Sequence, residues 1–167
     1  LGDDLDENLC NRPDAISYAY ENGVPMGATM KSNSMKKLQL FVSASSDLSI
    51  ANQFIEKLQV IKGVIKNGEV ETSIHDIKTS VSAKLDLNTC EVIGSGVKSM
   101  CALWEDEDFN EGDEAYYYVR VIANRSCRWS HDLCIKNPNY CQEEDDSGIP
   151  KFIQERAWTS PVWLENS

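Results

Sequence analysis

The sequence has 167 residues, a formal net charge of −11 and a pI near 4.6. This acidity excludes nucleic acid as an expected partner, because affinity for a phosphate backbone comes mainly from Lys and Arg. Hydrophobic residues make up 41% and charged residues 26%, which is typical of a globular protein and excludes wholesale disorder. No apolar run is long enough to predict a membrane span.

The first residues are acidic, whereas a secretory signal would be basic and then apolar. We therefore expect that a signal was removed or that the chain is a piece of a longer protein. The length suits one domain, and no linker divides the chain, so residues 1–167 are predicted to form a single β-rich domain. Residues 13–23 predict a short helix with Asn11 as its N-cap.

From Lys37 onward, β-branched residues at a period of two predict strands. The predicted strands are 38–44, 57–66, 69–77, 100–104 and 115–123. Asn67-Gly68 predicts a hairpin between the second and third of these. In the returning strand, Val70, Thr72 and Ile74 alternate with Glu71, Ser73 and His75. This alternation predicts that one face of the strand is solvated. We expect an antiparallel β-sandwich, with residues 126–150 as a long stapled loop.

The loop between the last two predicted strands is acidic. It places oxygen ligands near alternate positions, as a loop for a hard cation would: Asp106, Asp108, Asn110 and Asp113. It departs from an EF-hand, since Glu111 replaces the glycine of the tight turn and Tyr117 the bidentate glutamate. A looser calcium site and a solvated loop both remain open.

The six cysteines include no Cys-x-x-Cys pair: Cys10, Cys90, Cys101, Cys127, Cys134 and Cys141. The pattern favours disulfides, and thus an oxidising compartment, over buried thiols or a zinc site. Asn124-Arg125-Ser126 also fits an N-glycosylation sequon.

The sequence predicts no catalytic set and no cofactor in this chain. His75 and His131 are the two histidines, and neither belongs to a recognised ligand pattern. His131 is flanked by Ser130 and Asp132, but adjacent residues rarely face one another as a catalytic triad requires.

The C-terminal segment is rich in aromatic residues. Trp158 and Trp163 each combine a large apolar ring with one N–H donor, which predicts a terminus docked on the core. These two residues and Trp129 are also candidates for an interface or a ligand platform.

Six motifs occur in an order that is similar to one family: Asn22-Gly-Val-Pro-Met-Gly27, Leu58-Gln-Val-Ile-Lys-Gly63, Leu103-Trp-Glu-Asp-Glu-Asp-Phe109, Tyr116-Tyr-Tyr-Val-Arg-Val121, Cys127-Arg-Trp-Ser130 and Gln154-Glu-Arg-Ala-Trp-Thr-Ser-Pro-Val-Trp163. They resemble the C-terminal part of a bacterial family catalogued as domain of unknown function 3604. The resemblance covers nearly the whole chain.

Full-length members of that family look like relatives of the polymerase-and-histidinol-phosphatase (PHP) metallohydrolases. The resemblance implies that a divalent metal and the phosphoesterase site belong to an N-terminal part, so no family catalytic residue is carried onto this sequence. It also implies export, to the periplasm or outside a bacterial cell. In that setting we expect Cys90 to pair with Cys101, and Cys127, Cys134 and Cys141 to staple the long loop together with Cys10.

Two functions follow as hypotheses. The first is an accessory β domain that packs on the N-terminal catalytic part and shapes it, which predicts a sizeable apolar patch on this chain. The second is a secreted module that binds a glycan or calcium, which predicts an exposed platform at Trp129 or at Tyr116 to Tyr118. The sequence leaves the parent's substrate and the oligomeric state open.

Overall fold

The computed structural model describes residues 1–33, 35–81, 83–140 and 148–166, without the side chain of Tyr140. Helix α1 spans Ala15–Glu21 and helix α2 spans Trp129–Lys136, with 3-10 turns at Leu9–Asn11 and Pro138–Tyr140. The strands are β1 (Thr29–Lys31), β2 (Gln39–Ser45), β3 (Ile55–Lys66), β4 (Glu69–Thr79), β5 (Lys84–Leu85), β6 (Val92–Ile93), β7 (Ser99–Glu105), β8 (Ala115–Cys127), β9 (Phe152–Trp158) and β10 (Val162–Glu165). The predicted mainly β class is confirmed.

The strands form one large sheet and two small ones. The large sheet has the order β1-β10-β8-β3-β4, and β9 pairs with the second half of β8. Its pairs are antiparallel except for β1 with β10, which is parallel. β2 pairs with β7, and β5 pairs with β6.

The core lies between the large sheet and the β2–β7 sheet. Leu58 and Val60 on β3 are fully buried and share one cluster with Leu40 and Val42 on β2. Each such side chain contributes about 1.5–3 kcal/mol through removal of its apolar surface from water. Two sheets packed across one core form the predicted sandwich.

The predicted hairpin is confirmed. Lys66 pairs with Glu69, so Asn67 and Gly68 form the two-residue turn. Their φ angles are +54° and +82°, the left-handed values that a type I′ turn requires.

The predicted N-terminal helix is present, but its predicted N-cap is wrong. The N-cap position is Asp14, which makes no side-chain cap hydrogen bond. Arg12 binds the Asp14 carboxylate instead, with Nη2 2.7 Å from Oδ2.

The prediction of a loop over residues 126–150 is wrong for its first part. β8 continues to Cys127, and α2 follows at once. None of the α2 residues is buried, so the helix leaves no apolar stripe for a sequence pattern to reveal. Residues 141–147, including Cys141, lie outside the described residues.

Disulfides join Cys10 to Cys101 and Cys90 to Cys127. The predicted Cys90–Cys101 pair is therefore wrong, and so is the predicted pairing of Cys10 with the cysteines of the long loop. β5 packs against β8, so the β5–β6 segment brings Cys90 to the end of β8 rather than to β7. Cys134 is also disulfide-bonded.

Asn124, the sequon residue, has a structural role. It is 3% exposed on β8, and its Oδ1 accepts a hydrogen bond from the Phe54 N–H at 2.7 Å. Its Nδ2 donates to the carbonyls of Asn52 and Arg125. In the folded chain this side chain is not available for a glycan.

Candidate binding face

The side of the large sheet that faces away from the core is the candidate site. Side chains alternate along a strand, so Val60 and Val64 of β3 enter the core while Ile61 and Ile65 point to the opposite side. The register places Ile61 beside Tyr118 of β8 and Ile74 of β4. We call this surface the outer face. Its apolar members are Ile61, Ile65, Val70, Ile74, Tyr116, Tyr118, Trp158 and Trp163.

Aromatic rings form one half of the outer face. The Trp163 ring lies 5.5 Å from the Tyr116 ring, between centroids, and the Tyr116 ring lies 6.3 Å from that of Tyr118. The two tyrosine rings are inclined by 16°. Trp158 is placed opposite Arg120, at the next outward position of β8. The row thus runs from β10 across β8 and presents partly exposed rings.

Gly63 makes room for this row. It pairs with Tyr116, and the phenol ring lies over its Cα, where a Cβ would overlap the ring. A glycine inside a strand weakens the strand but permits such close approach. The ring therefore lies along the sheet instead of standing up from it.

Aliphatic side chains form the other half of the outer face. Ile65, Val70 and Ile74 are 50%, 56% and 56% exposed. The prediction that only one face of β4 is solvated is wrong, since Glu71 and Ser73 on the other side are exposed too. The β2–β7 sheet packs on the opposite side of the large sheet, so the apolar set of β4 has no cover among the described residues.

A polar network borders the aliphatic half. Asp76 accepts hydrogen bonds from Lys57 Nζ and Gln59 Nε2, both at 2.6 Å. Gln59 Oε1 in turn accepts one from Arg120 Nε at 2.8 Å. The hydrogen bond from Lys57, followed by that from Gln59, lowers the pKa of Asp76 below its ordinary value. The network holds four polar groups in one geometry next to the apolar surface.

A surface of this kind suits association with a partner. Contiguous apolar surface with a polar border is characteristic of protein interfaces, which are enriched in aromatic residues.

Comparison of the sequence with known protein families identifies the family of this chain. A family model described as a protein of unknown function, DUF3604, matches residues 1–166. The chain belongs to the DUF3604 family. No curated protein and no solved structure matched it.

In this DUF3604 chain the acidic loop is held in place by contacts with β3 and β8. The Lys62 ammonium lies 2.6 Å from Asp106 Oδ2, which also accepts a hydrogen bond from the Tyr117 hydroxyl at 2.6 Å. Asp106 Oδ1 accepts one from the Asp108 N–H. Burial, and then the hydrogen bond to Asp106, raise the pKa of Tyr117. Both oxygens of Asp106 are thus engaged by protein donors.

Two further calcium candidates, Asn110 and Asp113, are joined to each other. Asp113 Oδ2 accepts a hydrogen bond from the Asn110 N–H at 3.0 Å. Within the described part of the chain, Asp106, Asp108 and Asp113 do not bring three ligand atoms within 4.8 Å of one another. The calcium site stays a prediction from the sequence.

The three tryptophan candidates of the DUF3604 chain do not share one site. Trp158 and Trp163 belong to the outer face and are 58% and 47% exposed, so their strands, not their rings, anchor the terminus. Trp129 opens α2 and is 72% exposed. Arg128 and Arg156, beside these rings in sequence, do not stack on them among the described residues.

The sequence pointed to Tyr116 and Tyr118 but not to the aliphatic half of the outer face. A signal for it exists in the β4 pattern, where Val70 and Ile74 alternate with polar residues. That pattern indicates an apolar side without indicating what covers it.

In the described part of the DUF3604 chain, neither helix combines the length and the apolar character needed to cross a membrane.

Proposed function

We propose that this chain is a non-catalytic accessory β domain of an exported DUF3604 protein, and that its outer face packs on a catalytic part of the same protein. The resemblance described above implies that this part is a PHP-like metal-dependent hydrolase. The exported setting is supported by the disulfides, which persist in oxidising compartments.

The uncovered apolar side of the large sheet carries the proposal. Isoleucine and valine side chains that stay exposed to water do not stabilise the protein, whereas burial of each contributes about 1.5–3 kcal/mol. Ile65 pairs with Val70, and Ile74 lies four residues further along β4 on the same side, so one partner surface can cover them together. If the catalytic part packs on these residues, this domain would shape one side of the catalytic part without contributing a catalytic residue.

The test is binding of this chain to the separately produced remainder of its parent protein, measured by titration calorimetry. We expect Ile74→Lys to weaken binding by at least about tenfold, because a buried unpaired ammonium opposes association. Val81→Lys is the matched control, since Val81 is 82% exposed outside the outer face. Equal affinities for both variants, or no association of the unaltered chain, would refute this use of the face.

A second function is favoured by the aromatic half of the same surface. Partly exposed rings beside fixed polar groups are the elements with which a protein stacks on a sugar and binds its hydroxyls. A glycan array with the isolated chain tests this. Tyr118→Ala should abolish a glycan signal and leave binding to the catalytic part less affected than Ile74→Lys does, whereas Trp129→Ala should leave the signal unchanged.

A further inference from the structure

The Cys90–Cys127 disulfide lies against a histidine. The two sulfur atoms and a ring nitrogen of His131 all lie within 4.8 Å of one another. All three residues are partly exposed. In the described part of the chain this is the one group of three or more His, Cys, Asp or Glu residues with such spacing.

Two segments of the chain bring these side chains together. Cys127 ends β8, and His131 follows in the first turn of α2. Cys90 arrives from the segment between β5 and β6, with a φ of +58° that few residues other than glycine adopt. Besides the disulfide, the pairing of β5 with β6 and of β8 with β9 positions these segments.

The histidine ring is held in a definite orientation. Its Nε2 lies 2.9 Å from the Leu87 carbonyl oxygen. A carbonyl only accepts hydrogen bonds, so Nε2 carries the hydrogen and the neutral ring has its lone pair on Nδ1. A metal-binding histidine is typically oriented in this way, by donation from its other nitrogen to a carbonyl or carboxylate.

We propose that Cys90, Cys127 and His131 form a zinc site when a dithiol reduces the disulfide. The dithiol supplies two electrons and two protons: its own sulfurs become a disulfide, and the Cys90–Cys127 bond is replaced by two thiols. Zn²⁺ then displaces both thiol protons and takes two thiolates and Nδ1 of His131 as ligands. Water completes the tetrahedron, as in zinc sites with three protein ligands.

The spacing suits zinc once the S–S bond is open. Bond lengths of about 2.3 Å to sulfur and about 2.0–2.1 Å to nitrogen place tetrahedral ligand atoms roughly 3.4–3.8 Å apart. The observed limit of 4.8 Å exceeds that tetrahedral spacing by roughly 1 Å. Two thiolates with one imidazole also suit Zn²⁺ better than the oxygen-preferring Ca²⁺ or Mg²⁺.

The test titrates Co²⁺, a spectroscopic substitute for Zn²⁺, into the full chain reduced with a phosphine. We expect one Co²⁺ per chain, with a sulfur-to-cobalt charge-transfer band that Zn²⁺ abolishes. His131→Gln should weaken the affinity for Co²⁺ by at least about tenfold, because loss of even a group that only hydrogen-bonds to a metal ligand has an effect of that size. His75→Gln is the matched control, because His75 contacts Ser73 and Trp104 at another place.

A second readout does not depend on variants. After reduction, Zn²⁺ should protect Cys90 and Cys127 from alkylation, as read by peptide mass spectrometry, and leave Cys10 and Cys101 reactive. The proposal is overturned if no metal binds, if His131→Gln binds as tightly as the unaltered chain, or if protection falls on other cysteines. It also fails if circular dichroism shows the reduced chain unfolded and Zn²⁺ does not restore it.

Discussion

Lys62 and Asp106 form an ion pair inside the protein, with Nζ 2.6 Å from Oδ2 and side chains only 7% and 1% exposed. The Tyr117 hydroxyl donates to the same oxygen, and the Asp108 carbonyl accepts from the ammonium. The pair therefore ties the acidic loop to β3 and β8, the two central strands beneath the outer face.

Removal of one partner of this pair should be costly. Asp106→Asn leaves the Lys62 ammonium buried without a counter-charge, so we expect the free energy of unfolding to fall by about 3–5 kcal/mol. Urea denaturation followed by tryptophan fluorescence measures this. Glu71→Gln is the control, because its pair with Lys66 is exposed and should contribute less than about 1 kcal/mol. A similar small loss for Asp106→Asn would contradict the assignment.

Gly63 and Tyr116 should show coupled stabilities. Gly63→Ala alone forces the phenol ring away from the sheet, which opposes the gain of about 0.5–1 kcal/mol that alanine gives over glycine in a strand. In a Tyr116→Ala background that obstruction is gone, so the gain should appear. A double-mutant cycle by urea denaturation should give a coupling of at least about 0.5 kcal/mol. Additive effects would mean that the ring does not depend on Gly63.

Asn124 should be needed for stability. Asn124→Ala removes the acceptor of the Phe54 N–H and the donor to two carbonyls, and the cost of unpaired buried groups is about 1–3 kcal/mol. Thermal unfolding of the variant should show a correspondingly lower midpoint. Asn22→Ala loses an exposed hydrogen bond to the Tyr18 carbonyl and should change the midpoint much less. Equal midpoints for the two variants would argue against the role given to Asn124.

Asp76 should make a small contribution that depends on pH. Its folded-state pKa lies below 3.8, so the unfolded chain binds its proton first as the pH falls. The contribution is therefore complete above the unfolded pKa and is lost as the pH falls through the folded value. With the side chain 46% exposed, we expect less than about 1 kcal/mol.

The measurement compares urea denaturation of Asp76→Asn and the unaltered chain at neutral and acidic pH. The difference should be present at neutral pH and shrink in acid. Lys57→Met removes the first cause of the shift, so an NMR titration of Asp76 in that variant should move its pKa toward 3.8. An unchanged pKa would show that Lys57 does not lower it.

Local signals in the sequence were enough for part of the fold. Asn67-Gly68 specifies its turn through backbone geometry, and the β-branched and aromatic run from Ala115 has few alternatives to a strand. The disulfide partners were not predictable, because they depend on where β5 and β7 lie in space. α2 was missed because it buries no residue.

The candidate face illustrates the same limit. Ile61 and Ile74 occupy similar positions in alternating strand patterns, yet one is 2% exposed and the other 56% exposed. Ile61 lies on a central strand with neighbours on both sides, whereas Ile74 lies on the edge strand. Position in the sheet, which the local pattern does not encode, decides which isoleucine is left for a partner.

The parallel pairing of β1 with β10 has a consequence for how the chain is made. Thr29 lies beside Trp163, so β1 has no partner in the large sheet until the ribosome has released almost the last residues of this segment. The β3–β4 hairpin, by contrast, is complete once residue 79 has emerged. A nascent chain that stalls before Val162 therefore holds the β3–β4 hairpin at one edge of the sheet, while the other edge, β1 with β10, is still missing.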